Sequence, residues 1–251
     1  MRKFLVLLER EMKSYFYSPV AYIVLCFFLV LTGFNAYAVV SILNRGPSEY
    51  TMVAVFFNTT IFWFAFLPVI PLITMRLYSE EFKLGTIESL MTAPVDEWQV
   101  VLSKFGGALL FYAILWLPTT LYFVLFTQIT KNQAAQALGA FGGSYLLLLL
   151  MGMFYLSLGC LASVVTRNQI VAAVIAFVLV LITFFTGLLG FIMPNVGQAF
   201  RDLVSYFSSV EHMRDFSSGV IDTRPVVFYL TMTAFIQILT FQIFQYRKWK
   251  S

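Results

Sequence analysis

Residues 168–200 read NQIVAAVIAFVLVLITFFTGLLGFIMPNVGQAF, a run of 33 residues without a charged side chain. A helix needs about 20 apolar residues to cross the hydrocarbon core of a bilayer, so this run can span a membrane once. Two crossings joined by a turn would need about 40 residues. The run is continuously apolar and does not alternate with polar residues, which favours a helix over a strand of a membrane barrel.

Five more uncharged runs of this kind lie along the chain. They cover residues 14–44, 50–75, 105–130, 132–166 and 225–246. Of the 251 residues 60% are hydrophobic and 11% are charged, whereas a soluble domain has about 45–50% and about 25%. This composition excludes a soluble enzyme, a disordered chain and a nucleic-acid-binding domain. We predict a single all-α integral membrane domain over residues 1–251, with six transmembrane helices.

The basic residues predict how this domain is oriented. Six spans place both termini on one side, which then holds 11 of the 16 Lys and Arg residues, while the other side holds 5. Short loops rich in Lys and Arg stay in the cytoplasm. Both termini are therefore predicted to be cytoplasmic.

Residues 1–17 have the pattern of an amphipathic helix that lies in the cytoplasmic interface. One arc of the helical wheel carries apolar residues and the other carries charged ones. The apolar arc contains Phe4, Leu5, Leu8, Met12, Tyr15 and Phe16. Pro19 marks the turn into the first span. A plain extension of the first transmembrane helix is the alternative.

Two polar segments are longer than the topology requires. The cytosolic segment 76–104 contains Gly85, which permits a bend, and Thr86, which can cap a short acidic helix that ends at Pro94. This helix can be a surface helix packed on the membrane or a docking element for a cytosolic partner. The extracytoplasmic segment 193–224 contains the only histidine, His212, which we predict to be a solvated loop residue.

The polar residues inside the runs are few. Asn35, Asn58, Thr59 and Thr183 are candidates for a substrate path, and hydrogen bonding between helices is the alternative. No ionisable residue lies well inside any run, no GxxxxGK[ST] or HExxH motif occurs, and one histidine cannot build a metal cluster. We therefore predict no catalytic residue and no metal site, and expect that a partner supplies the energy.

Residues 79–90, SEEFKLGTIESL, followed by TAP at 92–94, resemble the motif of ABC-2-type exporter permeases. The resemblance extends over nearly the whole chain. Residues 219–224, GVIDTR, resemble a more local motif of the gliding-motility-associated branch of these permeases.

This resemblance implies a transmembrane domain like that of type V exporters, in the bacterial inner membrane. It implies a second permease, identical or related, and cytosolic ABC ATPase subunits that hold ATP and Mg, with no cofactor in this chain. The path would run between the two permeases, partly along spans 1, 2 and 5. The outer segment could bind an extracytoplasmic auxiliary protein, and membrane lipid surrounds the chain.

The resemblance also assigns residues to the coupling helix that docks on the ATPase. The ATPase-coupling residues are then Glu80, Glu81, Gly85, Thr86, Ile87, Glu88, Leu90, Met91 and Pro94. The acids could pair with basic residues of the ATPase, and the apolar side chains could fill a cleft in it. The alternative is a structural or mechanotransmitting subunit of an ATPase-linked envelope complex, through which no substrate passes.

Overall fold

The computed structural model describes residues 2–44, 51–87, 95–130, 138–192 and 204–248, and this part of the chain is almost entirely helical, with no strand. The helices are α1 (Arg2–Phe16), α2 (Pro19–Leu43), α3 (Met52–Asn58), α4 (Thr60–Thr74), α5 (Ser79–Leu84), α6 (Glu97–Trp116), α7 (Thr119–Ile129), α8 (Leu138–Val165), α9 (Gln169–Ile192), α10 (Ser209–Ser217) and α11 (Thr223–Lys248). The predicted all-α fold is confirmed.

Six segments of the described chain are long and apolar enough to cross a membrane, which confirms the predicted number. We call them spans 1 to 6 in chain order. They are Pro19–Leu43, Thr60–Leu84, Glu97–Ile129, Gly139–Val165, Gln169–Leu189 and Thr223–Arg247. Span 2 consists of α4 and α5 with a short turn between them, and span 3 consists of α6 and α7.

Spans 2 and 3 differ from the uncharged runs at one end. Span 2 continues past residue 75 to Leu84, and span 3 begins at Glu97 and includes Lys104. These charged residues lie outside the uncharged runs 50–75 and 105–130, so the expectation that no ionisable residue lies well inside a run is unaffected. Glu81 and Lys104 pair with each other, as described below, and a paired charge costs far less to place near a membrane.

The N-terminal helix α1 is a separate element, because Ser18 is extended and accepts a hydrogen bond from the Val20 amide, which starts α2 after a break. The alternative of a continuous first helix is wrong. One side of α1 packs on α6, where the ring of Tyr15 stacks on Phe111 at 4.7 Å between centroids. The exposed Leu5 remains available to a membrane surface.

Span 4 is the central helix of the bundle. Within its most apolar stretch 78% of the residues are buried, against 28% in spans 1 and 5. Glycines allow its neighbours to approach: a Cβ at Gly159 would lie 2.6 Å from Thr74 Cβ in span 2. Aromatic side chains fill the remaining space between the spans, as in the edge-to-face pair of Phe28 and Trp116 at 4.6 Å.

Candidate functional site

Charged side chains from three helices meet at the end of the bundle where α1, α5 and α6 lie together. Lys104 Nζ lies 3.1 Å from Glu11 Oε1 and 2.9 Å from Glu81 Oε1. Arg10 Nη2 lies 3.2 Å from the same oxygen of Glu81. We call these four residues the Lys104 cluster. It joins the N-terminal helix, the end of span 2 and the beginning of span 3.

The Lys104 side chain is only 1% exposed, so its charge depends on these partners. A buried ammonium without a counter-ion is strongly destabilising. Gly107 allows the partner from α1 to come close, because a Cβ there would lie 2.8 Å from Glu11 Cβ. The ring of Tyr78 adds a cation–π contact, with its centroid 5.5 Å from Nζ.

A second ion pair connects span 2 to the beginning of span 1. Arg76 Nε lies 2.8 Å from Glu80 Oε2, one helical turn away. The guanidinium also donates to the hydroxyl of Ser18, the residue that caps span 1. Together with the Lys104 cluster, this contact connects the end of span 2 that contains α5 to the starts of spans 1 and 3.

A cavity of about 200 Å³ lies beside these ion pairs. Its lining includes Arg10 and Ser14 from α1, and Arg76 and Glu81 from the end of span 2. Thr86, which follows α5, completes the rim. Burial raises the pKa of the Tyr15 hydroxyl, also in the wall, well above its usual range, and this hydroxyl donates to the Ile73 carbonyl at 3.0 Å.

The structure describes part of the predicted coupling residues. Glu80 and Glu81 form the ion pairs above, and Thr86 lines the cavity. Gly85 ends α5 at a φ of +71°, where a residue with a side chain would be strained. Ile87 is buried in the apolar core of the chain itself. Glu88, Leu90, Met91 and Pro94 lie outside the described residues.

Three of the predicted path residues lie around the break between α3 and α4. Asn35 is fully buried and donates to the Phe56 carbonyl at 3.1 Å. Its Oδ1 lies 2.7 Å from the hydroxyl of Thr59, which is extended and caps α4. Asn58 donates to the hydroxyl of Ser217 in α10 at 2.9 Å.

The fourth candidate, Thr183, is in span 5. Its hydroxyl lies 2.9 Å from the carbonyls of Leu179 and Val180 in its own helix. All four candidates are thus hydrogen-bonded inside the chain, and the bonds of Asn35, Asn58 and Thr59 connect different helices, as polar residues inside membranes often do. Their role in a path stays a prediction.

His212 differs from its prediction. It is 8% exposed, and its Nδ1 lies 3.0 Å from the hydroxyl of Tyr229 in span 6. The prediction of a solvated loop residue is wrong, because α10 packs on spans 4 and 6 and covers the ring. Burial lowers the pKa of His212 to about 4, although Asp222 acts in the opposite direction.

Sequence reasoning missed the partners of the predicted acids. Arg10 and Glu11 belong to the amphipathic segment 1–17 and Lys104 to the polar segment 76–104, and no local pattern in either segment pairs them with Glu81. A single lysine followed by a long apolar run is the one local sign that Lys104 needs a counter-ion. Among the described residues, no three His, Cys, Asp or Glu side chains lie together as metal ligands would.

The six spans, the helix α1 that precedes them and the paired charges at one end define a multi-pass α-helical membrane protein. A family model described as "ABC-2 family transporter protein" matches residues 62–249, which is more than half of the chain. The chain therefore belongs to the ABC-2 family of transporter proteins, whose members are permease components of ABC transporters. No curated protein matches it.

Proposed function

We propose that this chain is the transmembrane permease subunit of an ATP-driven exporter, and that it couples to a separate cytosolic ATPase through the segment that follows α5. The observation that carries the proposal is the Lys104 cluster. It links Glu81, at the beginning of the ATPase-coupling segment, to α1 and to span 3. ATP hydrolysis belongs to the partner, which holds ATP and Mg.

The contacts around Glu81 support a mechanical role. Gly85 and Thr86 follow α5 directly. A movement of the segment that docks on the ATPase would therefore be transmitted to α5 through only a few residues. Lys104 and Arg10 then carry it to span 3 and α1, and Arg76 carries it to Ser18 at the beginning of span 1. Interfaces of paired charges have discrete arrangements, which suits a step driven by nucleotide.

The packing of the bundle supports a path between two permeases. Aromatic side chains pack between the described spans, whereas only 28% of the residues in the most apolar stretches of spans 1 and 5 are buried within the chain. A second copy or a related permease would face these spans. We place the chain in the bacterial inner membrane with both termini in the cytoplasm, and its relation to the gliding-motility-associated branch stays a prediction.

The test is a charge reversal in the coupling helix. The chain is co-purified with its P-loop ATPase, and ATP turnover and the yield of the complex are measured. We expect Glu88→Lys to lower both, because a reversed charge repels the basic residues that it should meet. The control is Glu9→Lys, an equal reversal on the exposed face of α1, where the side chain is 64% exposed.

Two outcomes would contradict this proposal. If no P-loop ATPase co-purifies, the chain does not couple to one. If Glu88→Lys retains full turnover and assembly, Glu88 is not a contact. The alternative, a structural subunit through which no substrate passes, predicts ATP turnover in reconstituted vesicles without movement of any lipid or solute.

A further inference from the structure

Span 2 is interrupted by a turn at residues 75–78, which separates α4 from α5. Helix α5 begins after Tyr78, whose side chain makes no capping hydrogen bond, and Tyr78 and Ser79 are both fully buried. The first amide groups of a helix have no acceptor within that helix. The amides at the beginning of α5 therefore need an acceptor from another part of the molecule.

Ser163 of span 4 supplies this acceptor. Its hydroxyl is fully buried and accepts from the Tyr78 amide at 3.1 Å and from the Ser79 amide at 3.3 Å. The same hydroxyl donates at 3.3 Å to the carbonyl of Met75, the residue that follows α4. One side chain of span 4 thus satisfies backbone groups at both ends of the turn.

Contacts on either side of Ser163 extend this attachment. One turn earlier in span 4, Gly159 allows α4 to come close, since a Cβ there would lie 2.6 Å from Thr74 Cβ. At the next residue, the Val164 carbonyl accepts from Arg247 at 2.7 Å, and the guanidinium of Arg247 lies 4.6 Å from the ring centroid of Phe82 in α5. Span 4 therefore follows span 2 through the end of α4, the turn and α5.

This backbone contact differs in kind from the ion pairs of the Lys104 cluster. Those pairs hold the side chain of Glu81, which can change its rotamer without a movement of α5. Ser163 instead holds the backbone at the point where α5 begins. A buried amide that loses its acceptor is costly, so the beginning of α5 and span 4 keep their relative position when either one moves.

We propose that Ser163 is a positioning residue for the coupling to the ATPase, and that its hydroxyl makes the beginning of α5 and span 4 move as one unit. This role rests on the proposed function, since the ATPase must act on the segment that follows α5. Span 4 is the most deeply buried of the described spans. A movement of α5 then reaches the centre of the bundle through the turn, in addition to spans 1 and 3 through the ion pairs.

Hydrogen exchange of the full chain in detergent tests the contact itself. In Ser163→Ala the two amides lose their acceptor, and we expect exchange in residues 78–82 to become about tenfold faster. Ser157→Ala is the matched control, because Ser157 is also fully buried in span 4 and donates to the Phe154 carbonyl of its own helix at 2.6 Å. Exchange in Ser163→Ala that equals that of the control would overturn the proposal.

A distance between two spin labels tests whether α5 and span 4 move together. The labels are attached at Lys83→Cys on α5 and Val165→Cys at the end of span 4, both exposed positions, in a background with Cys26→Ala and Cys160→Ala. Electron paramagnetic resonance measures the distance in the complex with the ATPase, before and after trapping with ADP and vanadate. With Ser163 in place we expect the same distance in both states, and in Ser163→Ala we expect it to change on trapping.

A lower stability of Ser163→Ala alone would not produce a distance that depends on the nucleotide state. If the distance changes on trapping with Ser163 in place, α5 moves without span 4 and the proposal is overturned. If it stays constant in Ser163→Ala, the hydroxyl is not what joins them, and the proposal is overturned as well.

The proposed function fails on different observations. If Glu88→Lys lowers turnover and assembly while Ser163→Ala behaves like Ser157→Ala, the coupling to an ATPase stands and the role of Ser163 is wrong. If no ATPase co-purifies with the chain, the coupling role of Ser163 is overturned together with the proposed function. The exchange experiment, which needs no ATPase, then still reports whether Ser163 holds the beginning of α5.

Discussion

Lys104 lies between two carboxylates and is almost completely enclosed, so its removal exposes what a single buried charge contributes. We expect Lys104→Met to lower the free energy of unfolding by about 3 kcal/mol or more, because Glu11 and Glu81 then face each other without it. The unfolding midpoint in detergent measures this loss. Lys13→Met removes an exposed pair with Glu9 and serves as the control, with little expected change.

A second substitution distinguishes the loss of the Lys104 ion pairs from the loss of side-chain packing at this position. In Lys104→Met with Glu11→Gln, the remaining carboxylate of Glu81 still has Arg10 at 3.2 Å. The double variant should therefore be more stable than Lys104→Met alone. If the second substitution only added to the damage, the ion pairs would not be the source of the stability.

Hydrogen bonds from the first turn of α10 attach this helix to spans 4 and 6. Ser209 lies 2.9 Å from the hydroxyl of Tyr155 in span 4 and accepts from Tyr229 in span 6 at 3.2 Å. His212, one turn along, lies 3.0 Å from the same hydroxyl of Tyr229. This network favours a neutral imidazole, because the cost of burying the charged ring outweighs the opposite effect of Asp222.

Acidification should therefore weaken the attachment of α10. Burial lowers the pKa of His212 from 6.5 to about 4, so the unfolded chain binds more protons than the folded one between these values. The stability that the neutral ring provides is complete above pH 6.5 and is lost as the pH falls toward 4, by on the order of 3 kcal/mol.

The measurement compares the unfolding midpoints of the wild-type protein and His212→Gln at about pH 7 and about pH 4.5. The difference between the two proteins isolates His212, because other groups titrate in both. Burial raises the pKa of Glu211, for example, which gives stability of the opposite sign on acidification. An equal loss of stability in the two proteins on acidification would show that His212 does not control the attachment.

The six spans of the bundle could be predicted from the sequence, because a local property determines each of them. Each span follows from the length of one uncharged run, because about twenty consecutive apolar residues without a charge are stable as a helix across the hydrocarbon core. The Lys104 cluster was not predictable in this way, since Lys104 and Glu11 are 93 positions apart and Arg10 and Glu81 are 71 positions apart. No local sequence pattern indicates which distant charges will pair after the helices pack. The burial of His212 could not be predicted for the same reason, since it depends on how α10 packs on other helices.

The structure does state which parts of the molecule share an end of the bundle. Arg10 in α1 contacts Glu81, and Gln245 near the C-terminus donates to Glu97 at the beginning of span 3. Arg247 donates to the carbonyl of Val164 at the end of span 4. Helix α1, the end of α5 and the last turns of α11 thus lie at the same end of the bundle. The excess of Lys and Arg predicts that this end is cytoplasmic.

Cysteine labelling decides which side of the membrane that end faces. In a background with Cys26→Ala and Cys160→Ala, Ser218→Cys places a thiol on the exposed turn after α10, and Asn168→Cys places one between spans 4 and 5. A maleimide that cannot cross membranes should label Ser218→Cys in intact cells and Asn168→Cys only after lysis. The reverse pattern would invert the topology and move the ATPase-coupling segment out of the cytoplasm, where no ATP-driven partner could reach it.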